Sequence, residues 1–157
     1  MKKIAQCIGR LLHILAWPAY QVYLRRTDRT RIALIDGDYI LVAKNWISDG
    51  KWSLPGGGLH KGEDITAGAL RELKEEMGLE LNPERLTPHG LAEYRHAGLR
   101  YVFHIFEVKV RRTNLVIRPQ RIEIAEARWV AMHTLNIRNA GLDLLLTVAK
   151  VRPDLLQ

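Results

Sequence analysis

The sequence predicts an α/β sandwich, a mixed sheet held between helices, and three observations carry that prediction. The patterns along the chain run hairpin, glycine loop, acidic helix, strands and terminal helix, the mixture of β and α signals expected of a layered α/β domain. At 157 residues the chain has the size of one domain able to bury its own core. Its net charge of +7 is concentrated at one end: residues 1–27 hold Lys2, Lys3, Arg10, Arg25 and Arg26 and no acid, leaving 19 cations against 17 acids in the remainder. A nearly balanced domain over residues 28–157 is therefore expected behind a basic extension.

In that extension Ile4, Ile8, Leu11, Leu12 and Leu15 recur at helical spacing with Lys2, Lys3, Gln6, Arg10 and His13 between them. This is an amphipathic basic helix that ends or kinks near Pro18. Arg10 and His13 interrupt the apolar run and no small-residue cleavage pattern follows, which argues against a signal peptide; the same interruptions argue against a membrane span. Packing on the domain or on a twin subunit in a homodimer, peripheral attachment to an anionic membrane, or, as the least favoured, an uncleaved anchor or signal are the roles this leaves. The lone Cys7 excludes an intrachain disulfide and agrees with a cytoplasmic setting.

Arg31 to Ile35 and Tyr39 to Lys44 are β-rich runs around Asp36-Gly37-Asp38, a hairpin signal. Trp46 to Lys51 reads as a loop, and Trp52-Ser53-Leu54-Pro55 leads into Gly56-Gly57-Gly58, where backbone can approach a phosphate or metal closely. His60 and Lys61 follow as solvent-facing loop residues within reach of phosphate oxygens. A helix is expected from Ile65 to Met77, capped by Asp64 and stopped by Gly78. At 100° per residue Glu72, Glu75 and Glu76 share an arc of about 100°, while Thr66, Leu70, Leu73 and Met77 occupy another side. Like charges at i,i+4, here Glu72 and Glu76, repel by a few tenths of a kcal/mol, roughly. A hard divalent cation reverses that sign, so the acidic face suits Mg²⁺ or Mn²⁺.

Beyond the helix, Asn82-Pro83 and Thr87-Pro88 punctuate a connection. Leu91 to Arg95 and Tyr101 to Val110 read as strands, with Tyr94 a packing residue. Arg111-Arg112 and Asn114 to Arg121 form a cationic loop or irregular strand. Glu123 and Glu126 precede Trp129, which is expected in the core, and Ala140 to Val151 has the pattern of a terminal helix lying on the sheet.

The stretch from Gly57 to Leu79 carries the function. A Glu-rich surface helix alone would be unremarkable, but Gly57, Glu63, Arg71, Glu72, Glu75, Glu76 and Gly78 stand at fixed intervals. Seven fixed residues at ~6% usage each match a given start by chance on the order of once in 10⁸ or more rarely. The stretch resembles the Nudix box without a departure, and the chain is similar to Nudix (MutT-like) hydrolases from about Arg29 to Val151.

That resemblance implies a Nudix-type α/β/α sandwich and hydrolysis of the pyrophosphate linkage of a nucleoside diphosphate joined to another moiety. It implies divalent cations, Mg²⁺ or Mn²⁺, held by Glu72, Glu75, Glu76 and the Gly57 carbonyl. Glu63 would support the loop or a metal-bound water, and Arg71 would orient the carboxylates. Glu123 is the preferred completing carboxylate, with Glu72, Glu123 and Glu126 all eligible as general base. Removal of a 5′ pyrophosphate from RNA and noncatalytic nucleotide sensing are the alternatives, and an intact box speaks against the second. Which nucleotide is cleaved is not set by the box.

Overall fold

The computed structural model describes residue 8, residues 28–96 and residues 99–156. The helix expected in residues 1–27 lies outside the described residues, apart from Ile8, which is helical. The chain runs β1 (Arg29–Asp36), β2 (Tyr39–Asn45), α1 (Ile65–Met77), β3 (Thr87–His96), β4 (Leu99–Lys109), β5 (Ile124–Ala131) and α2 (Leu142–Val151). Among the described residues no helix is long and apolar enough to cross a membrane.

The five strands form one mixed sheet in the order β3-β4-β1-β2-β5, in which β1 and β4 are parallel and the other neighbours antiparallel. β1 is buried along nearly its whole length because both its faces are covered. Its alternation turns Ile32 and Leu34 toward Ala69, Leu73 and Met77 of α1, and Ala33 and Ile35 toward Leu144, Val148 and Val151 of α2. One helix therefore closes each face.

Local chemistry sets the ends of α1. Asp64 accepts a hydrogen bond from the Ala67 N–H, and Gly78 sits at φ 66° with its N–H on the Lys74 carbonyl. The expected boundaries of this helix hold to the residue. Thr87-Pro88 is a correction: it lies within β3, at the sheet edge, where a missing N–H is tolerated and the register shifts between Pro88 and Leu91.

β1 and β2 pair only beside their hairpin, at Ile35↔Ile40 and Asp36↔Tyr39. Farther along, Ser53 to Gly58 enters the split between them: Ser53 exchanges hydrogen bonds with Ala43, and the N–H groups of Ile32 and Thr30 donate to the Pro55 and Gly57 carbonyls, each at 2.9 Å. The glycine turn is thus bonded into the sheet directly beside α1.

Candidate active site

The sequence-predicted residues Gly57, Glu63, Arg71, Glu72, Glu75, Glu76 and Glu123 gather at the end of β1 where the glycine turn meets α1. Arg71 is the local hub. Its Nε and Nη2 donate to the two oxygens of Glu63 at 2.8 and 3.0 Å, and Nη2 also reaches the Gly58 carbonyl at 3.1 Å. Nη1 donates to Glu72 Oε1 at 2.9 Å and to Glu75 Oε2 at 3.0 Å. One guanidinium thereby aligns three carboxylates and fastens the helix to the loop. Glu63 also accepts the His60 N–H at 2.8 Å, and the Arg71 hydrogen bonds followed by this one hold its carboxyl down at about 2.

Glu76 differs from the expectation. The arc of glutamates was expected to face away from the packed side, yet Glu76 is 7% exposed and lies at the inward border of α1 with Ala69, Leu73 and Met77. Its Oε2 accepts the Gly56 N–H at 2.9 Å. Burial pushes its carboxyl up to about 7, and the charges of Glu72 and Glu123 act in the same direction, while the Gly56 hydrogen bond and the Arg31 guanidinium oppose them. A carboxylate buried beside two others is destabilised in its charged form unless a cation joins it.

The donors present fit a hard divalent ion. All are oxygens, and Gly57 lacks the side chain that would exclude Glu72: a Cβ there would lie 2.4 Å from Glu72 Oε2. The Gly57 carbonyl accepts from Thr30 and retains a second lone pair. Thr30 Oγ1, on the α1 face of β1, is buried without a hydrogen-bond partner among the described residues. Among the described residues no three acidic, His or Cys side chains stand together closely enough to hold a metal ion by themselves. An ion that keeps several waters needs only one or two carboxylates at a time.

Strand alternation separates the two eligible glutamates ahead of Trp129. Ala127 and Trp129 pack on the α1 side, so Glu126 and Arg128 turn toward the α2 side, where Arg128 lies 4.4 Å from the centre of the Trp52 ring. Glu123 precedes β5 and stays near Glu76. The loop before it is tied to the end of α1, with the N–H groups of Arg118 and Gln120 on the Met77 and Glu76 carbonyls at 2.8 and 2.9 Å. Trp46, just past the end of β2, holds the same loop, its backbone N–H on Glu123 O and its Nε1 on Arg121 O, both at 2.9 Å.

His60 and Lys61 are exposed, as expected. Tyr94 stacks on Tyr101 with ring centres 4.8 Å apart and packs against the α2-side core. Arg31, Asp143 and Trp46 escape the sequence reading. A visible signal existed for Arg31 alone, a cation inside a strand otherwise destined for burial, which requires a partner that spacing does not identify.

Comparison with known proteins agrees with the fold and the family resemblance. A family model described as NUDIX domain matches residues 25–148. Nudix hydrolase 2 of Arabidopsis thaliana is 31% identical over 81 residues, covering 52% of this chain and 28% of that protein, so the chain spans little more than a quarter of that relative. Nucleoside triphosphatase NudI of Salmonella arizonae is 26% identical over 125 residues, covering 66% of this chain and 89% of that protein. The solved structure of a MutT NUDIX hydrolase from Burkholderia pseudomallei superposes with a TM-score of 0.69 at 21% identity, covering 80% of this chain and 97% of that one, a likeness of fold. With the glycine turn, the acidic helix and the mixed sheet in their places, and a family model that spans most of the chain, the protein belongs to the Nudix family.

Proposed function

We propose that the protein is a divalent-metal-dependent pyrophosphohydrolase that cleaves the P–O–P bridge of a nucleoside diphosphate linked to another moiety. The observation that carries this reading is the buried Glu76 carboxylate, set against the Gly56 N–H with Glu72 and Glu123 close by. Glu72, Glu75, Glu76 and the Gly57 carbonyl would hold Mg²⁺ or Mn²⁺. Such ions, when bound, neutralise pyrophosphate charge and make a bound water more acidic. Arg71 keeps Glu72 and Glu75 oriented while leaving each an oxygen for that purpose. Glu123 is the carboxylate assigned to take the proton of the attacking water, because it lies near Glu76 and is exposed enough to pass that proton to solvent.

The test is product analysis of wild type and Glu76→Gln with Mg²⁺ over nucleoside triphosphates, nucleotide sugars, ADP-ribose, dinucleoside polyphosphates and 5′-triphosphorylated RNA. Cleavage by wild type alone supports the assignment; equal cleavage by both contradicts it.

One observation favours an RNA substrate as the second reading. A cleft of about 400 Å³ at the far end of β1 is lined by Arg85, Lys109 and Arg111, with Val110 and Leu115 beneath. These cations suit the phosphates of a chain longer than a mononucleotide. Affinity that falls steeply with salt for RNA and is weakened by Arg111→Glu supports that reading; a shallow slope unaffected by the substitution contradicts it.

A further inference from the structure

Gly56 presents its two backbone polar groups to titratable side chains on opposite faces of the sheet. Its N–H donates to Glu76 of α1 at 2.9 Å, and its carbonyl accepts from Arg31 Nη1 at 2.8 Å. Arg31 Nε in turn reaches Asp143 Oδ2 at 2.5 Å, and Nη1 also donates to the Thr30 carbonyl at 3.0 Å. Asp143 stands in the first turn of α2, with its other oxygen on the Leu144 N–H at 2.9 Å. A continuous path of hydrogen bonds therefore runs from α2 through Asp143, Arg31 and Gly56 to Glu76, crossing the sheet where β1 and β2 part.

Two features set this path apart from incidental packing. Gly56 holds φ 127°, and a Cβ there would lie 2.4 Å from the Thr30 carbonyl, so the turn is pressed onto the segment of β1 that carries Arg31. A buried ion pair also adds little stability over apolar side chains of similar volume, so stability alone gives no account of this one. Hydrogen-bonded groups just behind metal ligands and oxyanion donors commonly fix their orientation.

We propose that Arg31 and Asp143 are positioning residues, coupling α2 to the carboxylate helix and fixing the Gly56–Gly58 backbone against Glu76 so that the site meets pyrophosphate with its donors aligned. The inference rests on the function proposed above. Neither residue takes part in proton transfer: Arg31 acts through the Gly56 carbonyl, and Asp143 through Arg31.

Arg31→Lys keeps the charge and loses the fork; Asp143→Asn keeps the shape and loses the charge. In the full-length protein both are measured beside Val148→Ala, which thins the α2 core without touching the path. Readouts are kcat and KM on the best substrate of the panel, Mn²⁺ affinity by titration calorimetry, and thermal unfolding. The expected result for Arg31→Lys and Asp143→Asn is a kcat and a Mn²⁺ affinity each lowered roughly 10–100-fold, with KM little changed. Val148→Ala should lower the melting temperature and leave kcat and Mn²⁺ affinity at wild-type levels. Wild-type kcat and Mn²⁺ affinity in both path variants below their melting temperatures would overturn the inference, as would an equal kcat loss in Val148→Ala. If Arg31→Lys does not fold, Asp143→Asn decides by the same criteria. A wild type that neither binds Mn²⁺ nor hydrolyses any substrate overturns the proposed function and the inference together; an active wild type matched by both variants overturns the inference alone.

Discussion

The two helices that close the sheet each bury one acid, and they satisfy it in opposite ways. Asp143 of α2 is 6% exposed and meets the Arg31 guanidinium at 2.5 Å. Glu76 of α1 is 7% exposed and has a backbone N–H as its hydrogen-bond donor among the described residues, with two other carboxylates near it. Burying a charge is costly unless it is paired. The pair in α2 is complete within the protein, whereas Glu76 in α1 has no ion-pair partner among the described residues and, on the function proposed above, is completed by a cation. On that reading one helix is a structural clamp, and the other is a binding face held ready at a standing cost in stability.

Substitutions separate these two states, beginning with the largest expected effect. Glu76→Gln keeps the side chain's shape and removes its charge, so turnover should fall by roughly 10³–10⁴-fold, as expected when a charge-stabilising ligand is lost. At neutral pH the same variant should unfold at a higher temperature than metal-free wild type, because no carboxylate then has to ionise in the interior. Steady-state rates and thermal scans on one preparation check both halves; a variant that is active, or less stable, breaks the comparison.

Asp143→Ala should act the other way, lowering stability by about 3–5 kcal/mol because it strands the buried Arg31. Denaturant unfolding measures that loss, and a change near zero would mean that Arg31 finds another partner.

Stability should also depend on pH through Glu76. Its folded-state value, about 7, lies above the ordinary 4.5, so its contribution is fully present below pH 4.5 and is lost as pH rises through 7. In the metal-free protein the loss is on the order of 3 kcal/mol across that window. Saturating Mg²⁺ should flatten the slope, which unfolding midpoints from pH 5 to 8 with EDTA or Mg²⁺ would reveal.

A smaller effect distinguishes the two downstream glutamates. Glu123→Gln should reduce kcat by roughly 10²-fold as a lost general base, while Glu126→Gln, facing the α2 layer, should leave it unchanged. The reverse ranking in single-turnover rates would move the base to Glu126.

Much of the α1 side was legible from the sequence because its signals are local. Asp64 and Gly78 mark the helix ends by capping chemistry, and the box residues lie within one loop and one helix. The burial of Glu76 was not legible, since helical periodicity groups Glu72, Glu75 and Glu76 on one arc but does not say which edge of that arc is covered. Gly56 and the inserted Ser53–Gly58 segment decide that. Thr87-Pro88 read as a connection because proline lacks an N–H, and only the sheet order reveals an edge strand that tolerates it. Alternation groups Glu126 with Arg128 on one face of β5 and Ala127 with Trp129 on the other, but which face meets α1 is disclosed only by the packing of Ala127 and Trp129. The Arg31–Asp143 pair joins positions 112 apart, a separation that no local pattern encodes.

Titration calorimetry of Mn²⁺ into metal-stripped wild type and Glu76→Gln, repeated near pH 6.5 in buffers of different ionisation enthalpy, tests most directly whether the α1 site is completed by a cation. Wild type should bind and release a proton into the buffer, because the ion displaces the proton that burial holds on Glu76, and Glu76→Gln should bind weakly and release none. Equal affinity and equal proton release in the two proteins would contradict the assignment of Glu76 to the cation site.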